Sequence, residues 1–109
     1  MTFEEFQKKS RRFAIYPDPG HNIAYPTLGL ANEAGEVAGK VKKVFRDGSG
    51  WPTVEEKEAI ADEIGDVLWY CAQLATELGI SLSDIANGNI EKLTSRLERG
   101  KLGGSGDKR

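Results

Sequence analysis

Histidine and cysteine each occur once in these 109 residues, as His21 and Cys71. A lone cysteine leaves no intrachain disulfide, and a cytoplasmic protein is the simple reading. A lone histidine, set in the turn-forming run Asp18-Pro19-Gly20-His21-Asn22, speaks against the di-iron and ferritin-like bundles, which carry Glu-x-x-His on their helices. No excess of one charge is present either. The net charge is −2, so the basic footprint of a duplex nucleic-acid binder is missing. No apolar run approaches the roughly 20 residues of a membrane span. The start, MTFEEFQKKS, is acidic and amphipathic, unlike a basic-then-apolar signal peptide. Strand-like alternation is absent as well.

What remains is helical periodicity. Thr2-x-x-Glu5 forms a capping box for a first helix with Phe3, Phe6 and Phe13 on its apolar side. Pro17 disfavours a helical residue before it, which puts the end near Tyr16. A second helix is expected from Pro26 or Thr27 to about Arg46. Leu30, Ala34, Val37, Ala38, Val41, Val44 and Phe45 recur there at spacings of three and four. Gly29, Gly35 and Gly39 lower its propensity by about 1 kcal/mol each, so they are expected to allow close helix approach or to leave room for a ligand. Thr53-x-x-Glu56 after Pro52 opens a third helix, whose stripe runs from Ile60 to Leu78 before Gly79. Ser81 or Ser83 caps a fourth, which ends at Gly100. These elements make one all-α domain over residues 1–100, a four-helix bundle. The Gly-rich charged tail, residues 101–109, is expected to be flexible. Long amphipathic helices in so short a chain also imply burial against another copy.

Two pairs of acids stand inside this pattern. Glu33 and Glu36 form E-x-x-E, and Glu63 and Asp66 form E-x-x-D. Three residues apart, each pair shares a helical face. Each sits among small and apolar residues rather than on a solvated stripe. Like charges gathered in such surroundings call for a cation. An all-oxygen set suits a hard one, Mg²⁺ with Mn²⁺ as a possible substitute. If the second and third helices lie antiparallel, the four acids converge at mid-length. Such a cluster can hold two ions about 4 Å apart, which suits phosphoryl chemistry.

Basic residues form a second group. Lys40 follows Glu36 by four residues, and Lys42, Lys43 and Arg46 continue the second helix. Asn89, Lys92 and Arg96 share one face of the fourth helix and could grip phosphates. Solubility and compensation of the helix dipole account equally well for such charges. Tyr70, one turn after Asp66, borders the acids. Trp51 could stack on a base or cover a bundle end. Trp69 reads as a core or interface residue, and Cys71 as a small core residue.

The runs Gly29-Leu30-Ala31-Asn32-Glu33-Ala34-Gly35-Glu36-Val37 and Glu63-Ile64-Gly65-Asp66-Val67-Leu68-Trp69-Tyr70, with Asn89-x-x-Lys92-x-x-x-Arg96, resemble the MazG-like nucleoside triphosphate pyrophosphohydrolases. The resemblance spans about Phe6 to Arg99. It implies an all-α, Mg²⁺-dependent enzyme that cleaves a nucleoside triphosphate between its α and β phosphates. It makes Glu33, Glu36, Glu63 and Asp66 the metal ligands, with Glu36, Glu63 and Asp66 carrying catalysis. Asn89, Lys92 and Arg96 would contact nucleotide, beside Lys40, Lys43, Tyr70 and Trp51. It also implies a homodimer or homotetramer with active sites shared between subunits. Two rival readings remain at this point, a non-catalytic nucleotide or metal sensor and a helical oligomerisation module.

Overall fold

The computed structural model describes all residues 1–109. It holds four α-helices and no strand: α1 (Phe3–Ser10), α2 (Ala24–Asp47), α3 (Val54–Glu77) and α4 (Leu82–Glu98), with a 3₁₀ turn over Arg11–Phe13. The bundle expected from periodicity is present as an all-helical chain. Its frame is the antiparallel hairpin of α2 and α3, 24 residues each, or about 36 Å of helix apiece. α1 packs on α3, and α4 meets α1 and α3. No helix is long and apolar enough to cross a membrane.

The caps explain where the helices begin. Thr2 accepts from the Glu5 N–H. Thr53 and Glu56 form the full reciprocal box, with bonds of 3.2 and 2.9 Å. Of the two serines open to α4, Ser81 is the cap, accepting from the Asp84 N–H. Gly79 takes φ +70° beyond α3, the left-handed stop that glycine adopts without strain.

Two boundaries differ from the reading of the sequence. α1 stops at Ser10 rather than near Tyr16. The Ser10 hydroxyl donates back to the Gln7 carbonyl (2.8 Å), and the Ser10 carbonyl accepts from Trp69 Nε1 (3.2 Å), so a local hydroxyl and a distant indole take the carbonyls that would continue the helix. α2 starts at Ala24, two residues before Pro26. Asn22 Oδ1 accepts from the Tyr25 N–H at 2.9 Å, and Pro26 falls in the first turn, where a missing N–H is harmless.

One junction ties these pieces together. The Glu77 side chain is fully buried. Its carboxylate accepts from Arg11 Nη2 (2.8 Å), the Tyr16 hydroxyl (2.8 Å), the Gly20 N–H (2.7 Å) and the Asn22 N–H (2.6 Å). Burial alone would raise its pKa. The donors from Asn22 and Gly20, then Arg11 and Tyr16, overrule this and hold it at about 2. The loop that feeds α2 is thereby fastened to the end of α3.

The core is thin. Ala72, Ala75 and Leu82 form it, with Phe6 and Cys71 against them. The radius of gyration is 16.7 Å, against about 13 Å for a compact chain of this length. Phe45 is 68% and Ile90 63% exposed, and Leu28, Ile64, Leu68 and Leu97 are also exposed.

Candidate metal and phosphate site

Glu33 on α2 meets Glu63 and Asp66 on α3. One oxygen from each lies within 4.8 Å of the others. The i, i+3 spacing sets Glu63 and Asp66 on one face of α3, and the antiparallel hairpin turns that face toward Glu33. Glu33 and Glu63 are half-buried, and Asp66 is exposed. Glu36 lies one turn beyond Glu33, exposed and outside this tight trio.

The electrostatics are those of an uncompensated cluster. The Glu33 pKa is raised, first by burial, then by the charge of Asp66, by Glu63 and by Glu36. A single cation is close, Lys40 Nζ at 3.4 Å from Glu63 Oε1. All the donors are carboxylate oxygens, with no histidine or cysteine among them. That set fits Mg²⁺ or Mn²⁺ better than zinc or copper.

Gly29 shows why Tyr70 stands where it does. A Cβ on Gly29 would lie 2.1 Å from Tyr70 Cε1, so only glycine lets the ring rest on α2. Burial raises the Tyr70 pKa, helped by Tyr25 and by the charges of Glu33 and Asp66, and Tyr70 follows Asp66 by one turn on the same face of α3. Tyr25 in turn stacks on Tyr16 at 5.0 Å. The other helix glycines behave differently. A Cβ on Gly35 or Gly39 would meet nothing within 4 Å, so in one chain they face open space.

The remaining candidate residues spread out. Lys43 lies three residues beyond Lys40, and both line a 150 Å³ cavity with Glu56, Ala59 and Ile60. Trp51 is exposed at the α2–α3 turn, with Lys57 Nζ 5.7 Å from its ring centroid. That is about 15 Å along α3 from Glu63. Asn89 and Lys92 are exposed on α4. Arg96 is buried, and its Nη2 donates to the carbonyls of Gly106 and Asp107. Trp69 donates to Ser10 and packs edge-on to Tyr16 and Tyr70. Burial raises the Cys71 thiol pKa. The largest cavity, 450 Å³, lies away from the acids and is lined by Glu4, Gln7, Lys8, Arg11, Thr76 and Ser81. The acids themselves sit on an open face.

Two features escaped the reading of the sequence. Tyr25 gave no signal, because nothing in its spacing points to Tyr70. Glu77 looked like an ordinary residue at a helix end, because its partners lie 55 to 66 residues away.

No solved structure matches the chain significantly. It is 44% identical over 114 residues to the Gene 37 protein of Mycobacterium phage L5, with all of both chains covered. It is 37% identical over 75 residues to the uncharacterized protein YvdC of Bacillus subtilis (strain 168), covering 63% of this chain and 70% of that one. The family model of the MazG nucleotide pyrophosphohydrolase domain matches residues 24–100, a span that holds all four acids, and the chain therefore belongs to that family.

Proposed function

We propose that the protein is a Mg²⁺-dependent pyrophosphohydrolase. It cleaves a nucleoside or deoxynucleoside triphosphate between the α and β phosphates, giving the monophosphate and pyrophosphate. The observation that carries this reading is the meeting of Glu33, Glu63 and Asp66 across two helices, in a chain whose family implies pyrophosphohydrolase activity. The raised pKa of Glu33 supports it, since the protein leaves the cluster's charge for a ligand to neutralise.

Glu33, Glu36, Glu63 and Asp66 would hold the metal, which when bound supplies Lewis acidity at phosphate and makes water easier to deprotonate. Glu36 stands outside the tight trio and is the least committed of the four to the metal, so it is assigned as the acceptor of the water's proton. A bond forms from that water to phosphorus, and the bond from phosphorus to the pyrophosphate oxygen breaks. Lys40 and Lys43, side by side along α2, meet the charge on the departing pyrophosphate. Tyr70, wedged against Gly29, borders the reacting phosphate.

Asn89, Lys92 and Arg96 are assigned to phosphate contacts, and Trp51 to the base. In one chain these residues have no contact with the acids. The reading therefore shares each site between copies in a homodimer or homotetramer. Uncovered apolar residues on α2, α3 and α4 support that assembly.

The test is a panel of canonical, deoxy- and damaged nucleoside triphosphates, with pyrophosphate detection and Mg²⁺ present or chelated. Mg²⁺-dependent pyrophosphate release from at least one substrate is expected. Release of orthophosphate alone would refute the assigned bond. Tight nucleotide binding without turnover across the panel would favour a sensor instead.

A further inference from the structure

Residues 101–109 turn back on the end of α4 and are held there by three arginines, Arg96, Arg99 and Arg109. Arg109 Nε donates to the Lys101 carbonyl (2.9 Å), Nη1 to Gly106 (2.6 Å) and Nη2 to Leu102 (3.0 Å). Arg99 Nη2 donates to the Arg109 carbonyl at 2.8 Å. The bends use Gly100 at φ +66° and Gly106 at φ +88°, where a side chain would be strained. A Cβ on Gly104 would come within 2.8 Å of Arg109 Cδ.

Under this wrap sits Arg96, 5% exposed. It takes part in none of the chain's ion pairs. Its Nη2 is met by two neutral carbonyls, those of Gly106 and Asp107, and its Nε is buried with no partner at all. A buried guanidinium normally has a counter-ion and uses its donors in pairs. Main-chain carbonyls neutralise no charge, and they leave a donor idle that an anionic oxygen would satisfy. The surroundings favour an anion too, with Arg99, Lys101, Lys108 and Arg109 nearby in sequence against Glu98 and Asp107.

We propose that residues 101–109 form a strap that occupies Arg96 and is displaced by a phosphate-bearing ligand. The carbonyls of Gly106 and Asp107 stand in for phosphate oxygens until the ligand takes the guanidinium. This deepens the function proposed above, and rests on it only in that Arg96 meets phosphate. The strap then acts as a built-in competitor, which weakens apparent affinity in proportion to the fraction of chains in which Arg96 is covered.

The probe is inorganic pyrophosphate, added to the full chain and followed by calorimetry and by hydrogen exchange of the amides in 101–109. Pyrophosphate should speed exchange in that segment. Arg109→Ala removes the three donors that close the wrap, and Gly106→Val strains the bend. Each should tighten pyrophosphate binding by about tenfold, with helical content unchanged because neither residue lies in a helix. In Arg96→Ala the segment should already exchange fast and ignore pyrophosphate. Unchanged affinity in both strap variants would overturn the proposal. So would slower exchange on binding, which means the segment closes over the ligand, and so would the absence of pyrophosphate binding. Mg²⁺-dependent turnover with an unresponsive strap would defeat this proposal and leave the enzymatic reading standing. A responsive strap in a protein that hydrolyses no triphosphate would do the reverse.

Discussion

At the end of α3, Glu77 is enclosed by four donors, and its pKa falls to about 2. At mid-hairpin, Glu33 faces Glu63 and Asp66, and its pKa rises. Both are glutamates drawn out of water, and desolvation raises both. The difference lies in what the chain provides next. Around Glu77 it supplies a guanidinium, a phenol and two main-chain N–H groups, so the charge is solved internally and the contact holds the fold. Around Glu33 it adds further negative charge and only the half-exposed Lys40. Such a site is incomplete without something positive from outside. One acid serves structure, and the other is, on the function proposed here, left for a ligand.

Substituting one acid in each region should separate the two roles. Asp66→Asn should lower Mg²⁺-dependent pyrophosphate release by about two to three orders of magnitude. It should leave the metal-free melting temperature unchanged or raised, because it removes charge that pushes up Glu33. Mg²⁺ at a hundredfold excess over its Kd should stabilise the wild type by about 2.7 kcal/mol, and Asp66→Asn much less. A metal-free variant that melts well below the wild type would put Asp66 in the structural class with Glu77.

Glu77→Gln should show the converse. It leaves Arg11 facing a neutral group in a buried network and should cost about 3 kcal/mol of stability, read by urea unfolding at neutral pH. The sign of the pH dependence follows from the lowered pKa. The stabilisation from Glu77 is complete above its ordinary value of 4.5 and fades as pH falls toward about 2. The gap between wild type and Glu77→Gln should therefore narrow over that range. A gap that stays constant would mean that shape, not charge, fastens the loop.

The two regions also differed in how far the sequence disclosed them. The acid site was legible because its spacing is local. The i, i+3 pair on α3 needs only an antiparallel hairpin to meet Glu33, and hairpins of long helices are easily read from periodicity, although Glu36, expected to converge with them, stays outside the trio. The Thr53–Glu56 box was legible for the same reason. The Glu77 junction was hidden, since its donors come from the 3₁₀ turn and the loop before α2, far away in sequence. The end of α1 was misplaced for a related cause. Trp69 and Gln73 reach back to Ser10 across 59 and 63 residues, and no local propensity registers such partners. Gly29 lies between these cases. A glycine in a helix signalled close approach, but not that Tyr70 was the group approaching.

Gly29→Ala tests that contact from the acid side. The new methyl would overlap the Tyr70 ring, which must rotate or push the helices apart. A loss of about 1–3 kcal/mol is expected, together with reduced turnover, because Tyr70 borders the acids. Pairing it with Tyr70→Ala should recover part of the stability, since the small side chain makes room. If the double variant is as unstable as the sum of the singles, the overlap is not the cause.

The smallest effect on stability is expected at Lys40. Its 3.4 Å pair with Glu63 joins two partly exposed side chains, and such pairs contribute about 0.2–1 kcal/mol. Lys40→Met should therefore barely move the unfolding midpoint. Its effect on catalysis should be larger, for a reason that follows from the contrast between the two glutamates. In the metal-free chain, Lys40 is the only cation the protein offers to the acid cluster, and it offers it weakly. A divalent ion bound at Glu63 would take up that charge and leave Lys40 free to face phosphate. Its substitution should then show in the nucleotide kinetics, with KM raised or kcat lowered several-fold. An equal loss in stability and activity would instead make Lys40 a structural partner of Glu63, as Arg11 is of Glu77.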